Sequence, residues 1–315
     1  MGSATTAATT FQHEALLYAG DDQFVARCRA FVEEGLDRDE PVLVMVGSRK
    51  LELLRQALGE RAADVHFADM EVIGRNPARI IPAWGRFVAD HAGDGGGRMR
   101  GIGEPIWADR KPDELDECQL HESLINLAFA AADSFRLICP YDTAALPGDV
   151  IAEARRSHPI VALEGPPEPC GDYCGIEKVG ARFSAPLPEP PDGSEELSVG
   201  LDDLRTAREA VRRRAHTAGL GARADDLALA VNEVLSNSLH HAQEDGTLRI
   251  WDEPDGLVCE VRDGGHIEKP LIGREEPAIG QVGGHGIWLV NLVCDLVQVR
   301  SSPGGSTVRM KMSPA

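Results

Sequence analysis

The chain has 315 residues, of which 43% are hydrophobic and 26% charged, enough to bury a core and too apolar for disorder along its whole length. Its 32 basic and 51 acidic residues give a formal charge of -19, which repels nucleic-acid phosphates and anionic lipid heads, so no direct nucleic-acid partner is expected. Met1 to Thr10 lacks the cationic start and apolar core of a signal peptide, and no stretch approaches the ~20 apolar residues of a membrane helix. With seven cysteines scattered through the chain rather than spaced as a disulfide framework, the expectation is a cytoplasmic protein with no membrane attachment.

In chain order, short apolar runs alternate with helical patterns. Ala15 to Tyr18 reads as a strand, Asp22 to Leu36 as a helix, Val42 to Val46 as a strand, and a further helix begins near Ser48. Strands at Val65 to Phe67, Met99 to Ile106 and Phe135 to Cys139 alternate with helices at Pro77 to His91, Leu115 to Ala132 and Asp149 to Ser157. Continuous apolar strands joined by helices predict a parallel sheet covered on both faces, because each strand must reach the next by a helical crossover. Gly47-Ser48-Arg49-Lys50 is too short to wrap phosphates and reads as an ordinary strand-to-helix turn.

Between Glu164 and Pro191 lie seven of the twenty prolines, a composition that predicts a linker. Within it, Cys170 and Cys174 read as two reduced thiols, since acidic Glu168 and Asp172 do not activate them and no further zinc ligands follow at suitable spacing. Beyond it the order changes to helices at Leu201 to Thr217 and Asp225 to His241, then strands at Leu248 to Asp252 and Leu257 to Asp263. A Gly-rich stretch, Gly264 to Gly286, leads into a helix ending near Cys294, followed by strands Val297 to Arg300 and Thr307 to Met312. This predicts helices packed on a largely antiparallel sheet. The arginine run 205, 208, 212, 213 and 214 on the first of these helices offers either a partner or dimer surface or a solvated face.

Three features of this second half carry chemistry. Glu233 and Asn237, four residues apart, share a helix face beside the apolar stripe of Leu227, Val231, Val234, Leu235 and Leu239. Asn is a poor interior helix residue, so its place there suggests work for its side chain; the alternative is a solvated polar edge. Asp263 ends a strand and runs into Gly264-Gly265, where side-chain-free backbone leaves room for a ligand amine to reach the carboxylate; alone, the triplet is a turn. Gly280 to Gly286 then places bare backbone before a helix N-terminus, whose amides and dipole suit phosphate.

Taken together, Glu233, Asn237, Asp263, Gly265, Gly284, Gly286, Gly305 and Thr307 resemble the ATP-binding fold shared by gyrase, Hsp90 chaperones, histidine kinases and MutL, over about Leu201 to Met312. The compact form is most similar to the anti-sigma-factor serine/threonine kinases. This resemblance implies that Asn237 holds Mg²⁺ on the ATP phosphates and that Glu233 is the catalytic base on an incoming hydroxyl. Asp263 would accept the adenine amine, Gly265, Gly284, His285 and Gly286 would line the nucleotide and its lid, and Thr307 would sit near the adenine. The implied partners are an anti-anti-sigma (STAS) protein as substrate and a sigma factor to sequester, placing the chain in transcription and stress regulation. Two positions depart from the pattern: Ile267 stands where a glycine is common, and His285 where many of these kinases carry arginine, with Lys269 or Arg274 as substitutes.

In the first half, Gly103 to Trp107, Leu115 to Glu122, Cys139 to Asp142 and His158-Pro159 together resemble the MEDS sensory domain, a degenerate RecA-like fold, over roughly Phe11 to Val161. The resemblance implies a small-molecule ligand there, and Glu104 and Asp142 lie near strand ends where parallel sheets place ligand crevices. The expected fold class is α/β: a RecA-like parallel-sheet sensory domain at residues 11–161, a Pro-rich linker at 162–197, and a C-terminal GHKL (Bergerat) α/β sandwich at 198–313. A homodimer is compatible with all of this. Three functions follow: an ATP-dependent protein kinase, a non-catalytic anti-sigma binding protein, or a sensor histidine kinase with His121 as phosphoacceptor.

Overall fold

The computed structural model describes residues 11–92, 97–132, 134–163, 165–175, 177–241, 245–278 and 284–314. It divides into two units, the first ending at Lys178 and the second beginning at Val179. Among the described residues, no helix is long and apolar enough to cross a membrane.

The first unit runs β1 (Gln12–Tyr18), α1 (Gly20–Leu36), β2 (Val42–Val46), α2 (Ser48–Leu58), β3 (His66–Asp69), α3 (Met70–Ile73), α4 (Ile80–His91), β4 (Met99–Gly103), α5 (Pro112–Ala128), β5 (Phe135–Asp142), α6 (Gly148–Ser157), β6 (Ile160–Ala162) and β7 (Glu168–Pro169). Its sheet has the order β3-β2-β4-β5-β1-β6-β7, with every pairing parallel except β6 to β7. The Val-Leu-Val-Met-Val run of β2 is buried at all five positions, as a strand covered on both faces must be. On one face α1 lays down Phe24, Cys28, Phe31 and Val32, a 3.6-residue stripe, against Val42, Val44 and Ile138. Asp21 and Asp22 in its first turn complement the helix dipole.

The second unit runs α7 (Glu177–Ser184), which begins just before the division, then β8 (Glu195–Val199), α8 (Leu204–Thr217), α9 (Arg223–His241), β9 (Gly246–Glu253), β10 (Gly256–Asp263), α10 (His285–Val293), β11 (Leu296–Ser302) and β12 (Gly305–Met312). The sheet order is β11-β12-β10-β9-β8, antiparallel throughout. Period-2 alternation sends Leu248 and Ile250, Leu257, Cys259 and Val261, and Val308, Met310 and Met312 into one core with the buried stripes of α8 and α9. The opposite face carries charged side chains around buried Trp251 and Val258. There Glu260, 0% exposed, meets Arg249, Arg262 and Arg309, and a carboxylate so buried is tolerable only among cations.

The proline-rich stretch is built into the units instead of hanging between them. Residues 160–162 and 168–169 form the sheet edge of the first unit. In the second, Pro188 accepts a hydrogen bond from Arg309 Nη2 at 2.6 Å, Glu189 pairs with Arg262 at 3.1 Å, and β8 extends the sheet beside β9. These elements, β6, β7, α7 and β8, are additional to those the sequence pattern predicts. On α8, Arg212, Arg213 and Arg214 pair with Asp225, Glu195 and Asp252, which makes that part of the arginine run an ion-paired face.

Candidate functional site

Helix α9 presses Leu227, Ala228, Val231, Val234 and Leu235 into the core. That rotation leaves Glu233 and Asn237 half-buried on the neighbouring face, one turn apart. The Asn237 amide makes no hydrogen bond to any described residue, so its donors and acceptor are available to a ligand. Asp263 is the last residue of β10 and falls on the helix side because Leu257, Cys259 and Val261 precede it in alternation. Its Oδ1 accepts from Gly265 N at 2.7 Å and from Ser306 Oγ at 2.9 Å, and its Oδ2 accepts from Ser238 Oγ. A carboxylate offers about four acceptor positions, so one remains on Oδ2 for an amine donor.

Asn237, Asp263, Gly265, Gly284 and Gly286 line one cavity of about 380 Å³, with Val234, Ile267, Ile272, Ile287 and Val308 as its apolar wall. An apolar slot with one convergent carboxylate suits a flat heterocycle carrying an exocyclic amine. Gly284 caps α10 at φ 84°, a left-handed conformation that costs a glycine nothing. A methyl group on Gly286 would come within 2.8 Å of Asn237 Nδ2 and 3.5 Å of Glu233 Oε2, so only glycine lets the N-terminus of α10 approach the two polar residues this closely. Further along α10, Asn291 Nδ2 donates to Gly273 O at 2.8 Å.

The departures noted from the sequence have definite places. Ile267 donates its backbone N–H to Ser301 Oγ at 2.8 Å and contributes its side chain to the apolar wall. His285 is exposed on the first turn of α10, outside the cavity lining, which does not support the lid role expected for it. Lys269 is in the wall, whereas Arg274 is buried at 4% exposure and is not. Gly280 to Gly283 of the expected lid lies outside the described residues.

Thr307 requires a correction. It pairs in register with Arg262 and Arg300 and lines a neighbouring cavity of about 460 Å³, which meets the first at Asp263 and Ser306 but does not include Asn237 or the glycines of α10. Ser306, one residue earlier, shares the face of Val308 and Met310 and reaches Asp263. The signal was present in the alternation, since a strand that buries Val308 and Met310 must also turn residue 306 inward. Ser238 was missed too; it lies next to Asn237 in sequence and its hydroxyl bonds Asp263.

In the first unit, Glu104 is 3% exposed and held by Tyr18 Oη, which donates at 2.8 Å, and by Lys50 Nζ. Burial pushes its carboxyl up against the opposing pull of Lys50. Asp142 accepts from Gly20 N and Ala144 N, so local backbone amides satisfy it. Cys170 and Cys174 are free thiols that donate to different carbonyls, of Arg155 and Asp172. His121 is 1% exposed, where a phosphoacceptor has to be accessible.

Comparison with family models assigns both halves. Residues 12–159 match the MEDS model, the methanogen/methylotroph DcmR sensory domain, and residues 197–312 match the histidine kinase-like ATPase domain. The chain thus carries a sensory domain followed by an ATPase-type domain. No curated protein matches it.

Proposed function

We propose that the chain is a signalling regulator in which the N-terminal sensory unit, through a small-molecule ligand, controls a C-terminal unit that binds ATP with Mg²⁺ and acts as an anti-sigma-factor serine/threonine kinase. The observation that carries the reading is the meeting of Asn237, Asp263 and the Gly284–Gly286 turn around one cavity, with Glu233 beside Gly286. The residues fit the nucleotide: Asp263 keeps one acceptor position for the adenine amine, and the amides at the start of α10 suit phosphate. Mg²⁺-ATP supplies the transferable γ-phosphoryl group. Asn237 would hold the metal, its amide oxygen being the hard oxygen ligand Mg²⁺ prefers. Glu233 would take the proton from the incoming Ser or Thr hydroxyl of an anti-anti-sigma (STAS) protein, and the helix amides would support the charge on the phosphoryl oxygens, with ADP as the leaving group. Released from that partner, the same unit sequesters a sigma factor.

A second reading, a non-catalytic anti-sigma binding module, is favoured by one observation: His285 is exposed where a cation facing the γ-phosphate would assist transfer. Incubation with radiolabelled ATP and candidate STAS proteins separates the two. Transfer that disappears in Glu233→Ala supports the kinase. Tight partner capture without transfer supports the module.

A further inference from the structure

Four side chains from four segments of the first unit converge in its interior: His13 of β1, Glu122 of α5, Cys139 of β5 and His158 just after α6. They are 0%, 1%, 2% and 0% exposed, and one ligand atom from each lies within 4.8 Å of all the others. His13 Nε2 and His158 Nε2 each stand 3.2 Å from Glu122 Oε2, and His13 Nε2 stands 3.3 Å from Cys139 Sγ. Ligands about 2.0–2.3 Å from a tetrahedral zinc ion are separated by about 3.3–3.7 Å, so these spacings are close to the edges of a metal tetrahedron.

The hydrogen bonds around the cluster fix which atoms face inward. Asn126 Nδ2 donates to Ser157 O at 2.8 Å and Glu122 O at 3.2 Å, which turns Asn126 Oδ1 toward His13 Nδ1 at 3.1 Å. An amide oxygen only accepts, so the His13 proton is on Nδ1. His158 Nδ1 lies 2.7 Å from Ala154 O, again an acceptor, and carries its proton there too. Both Nε2 atoms therefore turn unprotonated lone pairs toward the carboxylate, His13 Nε2 with the Cys139 S–H as its one donor. Neither Glu122 oxygen nor His158 Nε2 has a hydrogen-bond partner, although all are buried. Lone pairs converging on an uncompensated buried carboxylate repel one another unless a cation sits among them. Imidazole pinned through Nδ1 to a carbonyl oxygen is also the usual outer support of a metal-ligating histidine.

We propose that His13 Nε2, His158 Nε2, Glu122 Oε2 and Cys139 Sγ bind one divalent transition-metal ion of the zinc class inside the N-terminal unit. Two imidazoles and a sulfur disfavour Ca²⁺ and Mg²⁺, which take oxygen ligands. On binding, the Cys139 S–H bond breaks, its proton passes to solvent and a sulfur–metal bond forms, with no electron transferred. One carboxylate and one thiolate then balance the ion's two charges, and the buried site becomes neutral. Because the ligands come from four segments, the ion enters as the unit folds.

The test uses the full chain produced in minimal medium with Co²⁺ as the added trace metal. The expected result is one Co²⁺ per chain, with the visible bands of four-coordinate Co²⁺ and a thiolate-to-cobalt charge-transfer band that is lost in Cys139→Ser and kept in the Cys170→Ser/Cys174→Ser double variant. If Cys139→Ser does not fold, X-ray absorption of the zinc-grown wild type decides, with one sulfur at about 2.3 Å and three lighter ligands at about 2.0 Å expected. Folded chain that carries neither metal, a charge-transfer band that persists in Cys139→Ser, or more than one sulfur at the zinc overturns the proposal.

Discussion

Asp263 accepts from three groups of its own chain, and the fourth position is what a purine amine would take. Asp263→Asn replaces one acceptor by a donor facing that amine, and leaving such a pair unsatisfied costs about 1–3 kcal/mol, so nucleotide affinity is expected to fall roughly 5- to 150-fold by calorimetry. The correction at the end of β12 gives a sharper contrast: Ser306→Ala should weaken binding about fivefold, a net hydrogen bond of ~1 kcal/mol, whereas Thr307→Val should leave it unchanged. Asn237 and Asp263 stood out in the sequence only in combination, since a mid-helix amide can be a solvated edge and Asp-Gly-Gly alone is a turn. Ser306 against Thr307 was not legible from the motif, since a one-residue slip moves a side chain to the other face and only the alternation of Val308 and Met310 decides it. Elsewhere, hydrogen bonds from Arg100 and Arg38 hold Glu34 down to about 2, below its ordinary 4.5. A depressed carboxyl stabilises the fold above its unfolded value and loses that contribution as the pH falls through the folded one. Glu34→Gln should therefore lower the thermal midpoint at pH 6, with a difference that shrinks toward pH 2 and with added salt, since the side chain is 42% exposed.

At the scale of elements, α9, β10 and the start of α10 make the site, and all three were readable: α9 from its stripe, β10 from alternation ending in Asp-Gly-Gly, α10 from the glycines before an apolar run. What the sequence concealed was the use of the proline-rich stretch. Prolines and scattered glycines read as open chain, yet Pro188 and Glu189 cover the arginines around buried Glu260, and β8 supplies an edge strand. No local pattern announces such contacts, because they depend on residues 47 or more positions away. A C-terminal fragment cut at residue 198, the boundary expected from composition, should thus unfold at a lower temperature than one beginning at Val179, as differential scanning calorimetry would show. Within the site, Gly286→Ala forces a methyl against Asn237 and should lower ATP affinity about tenfold or more, equivalent to ~1.4 kcal/mol, with little change in the thermal midpoint.

Across the whole molecule, two units with separate cores join a sensory domain to an ATPase-type domain. The alternation of strand and helix in the first half, and its replacement by helices followed by paired strands in the second, made the change from a mostly parallel to an antiparallel sheet legible. The convergence of His13, Glu122, Cys139 and His158 was not: the four are separated by up to 145 positions, and only the parallel order β5-β1-β6 brings them together. The same reading of the second unit makes nucleotide binding the claim from which kinase chemistry and partner exchange follow. Titration calorimetry of the full chain with ATP, with and without Mg²⁺, tests it most directly. Saturable heat from one site, strengthened by Mg²⁺ and with the Mg²⁺ effect lost in Asn237→Ala, is the predicted result; a folded chain that gives no heat with ATP or ADP under either condition would contradict it.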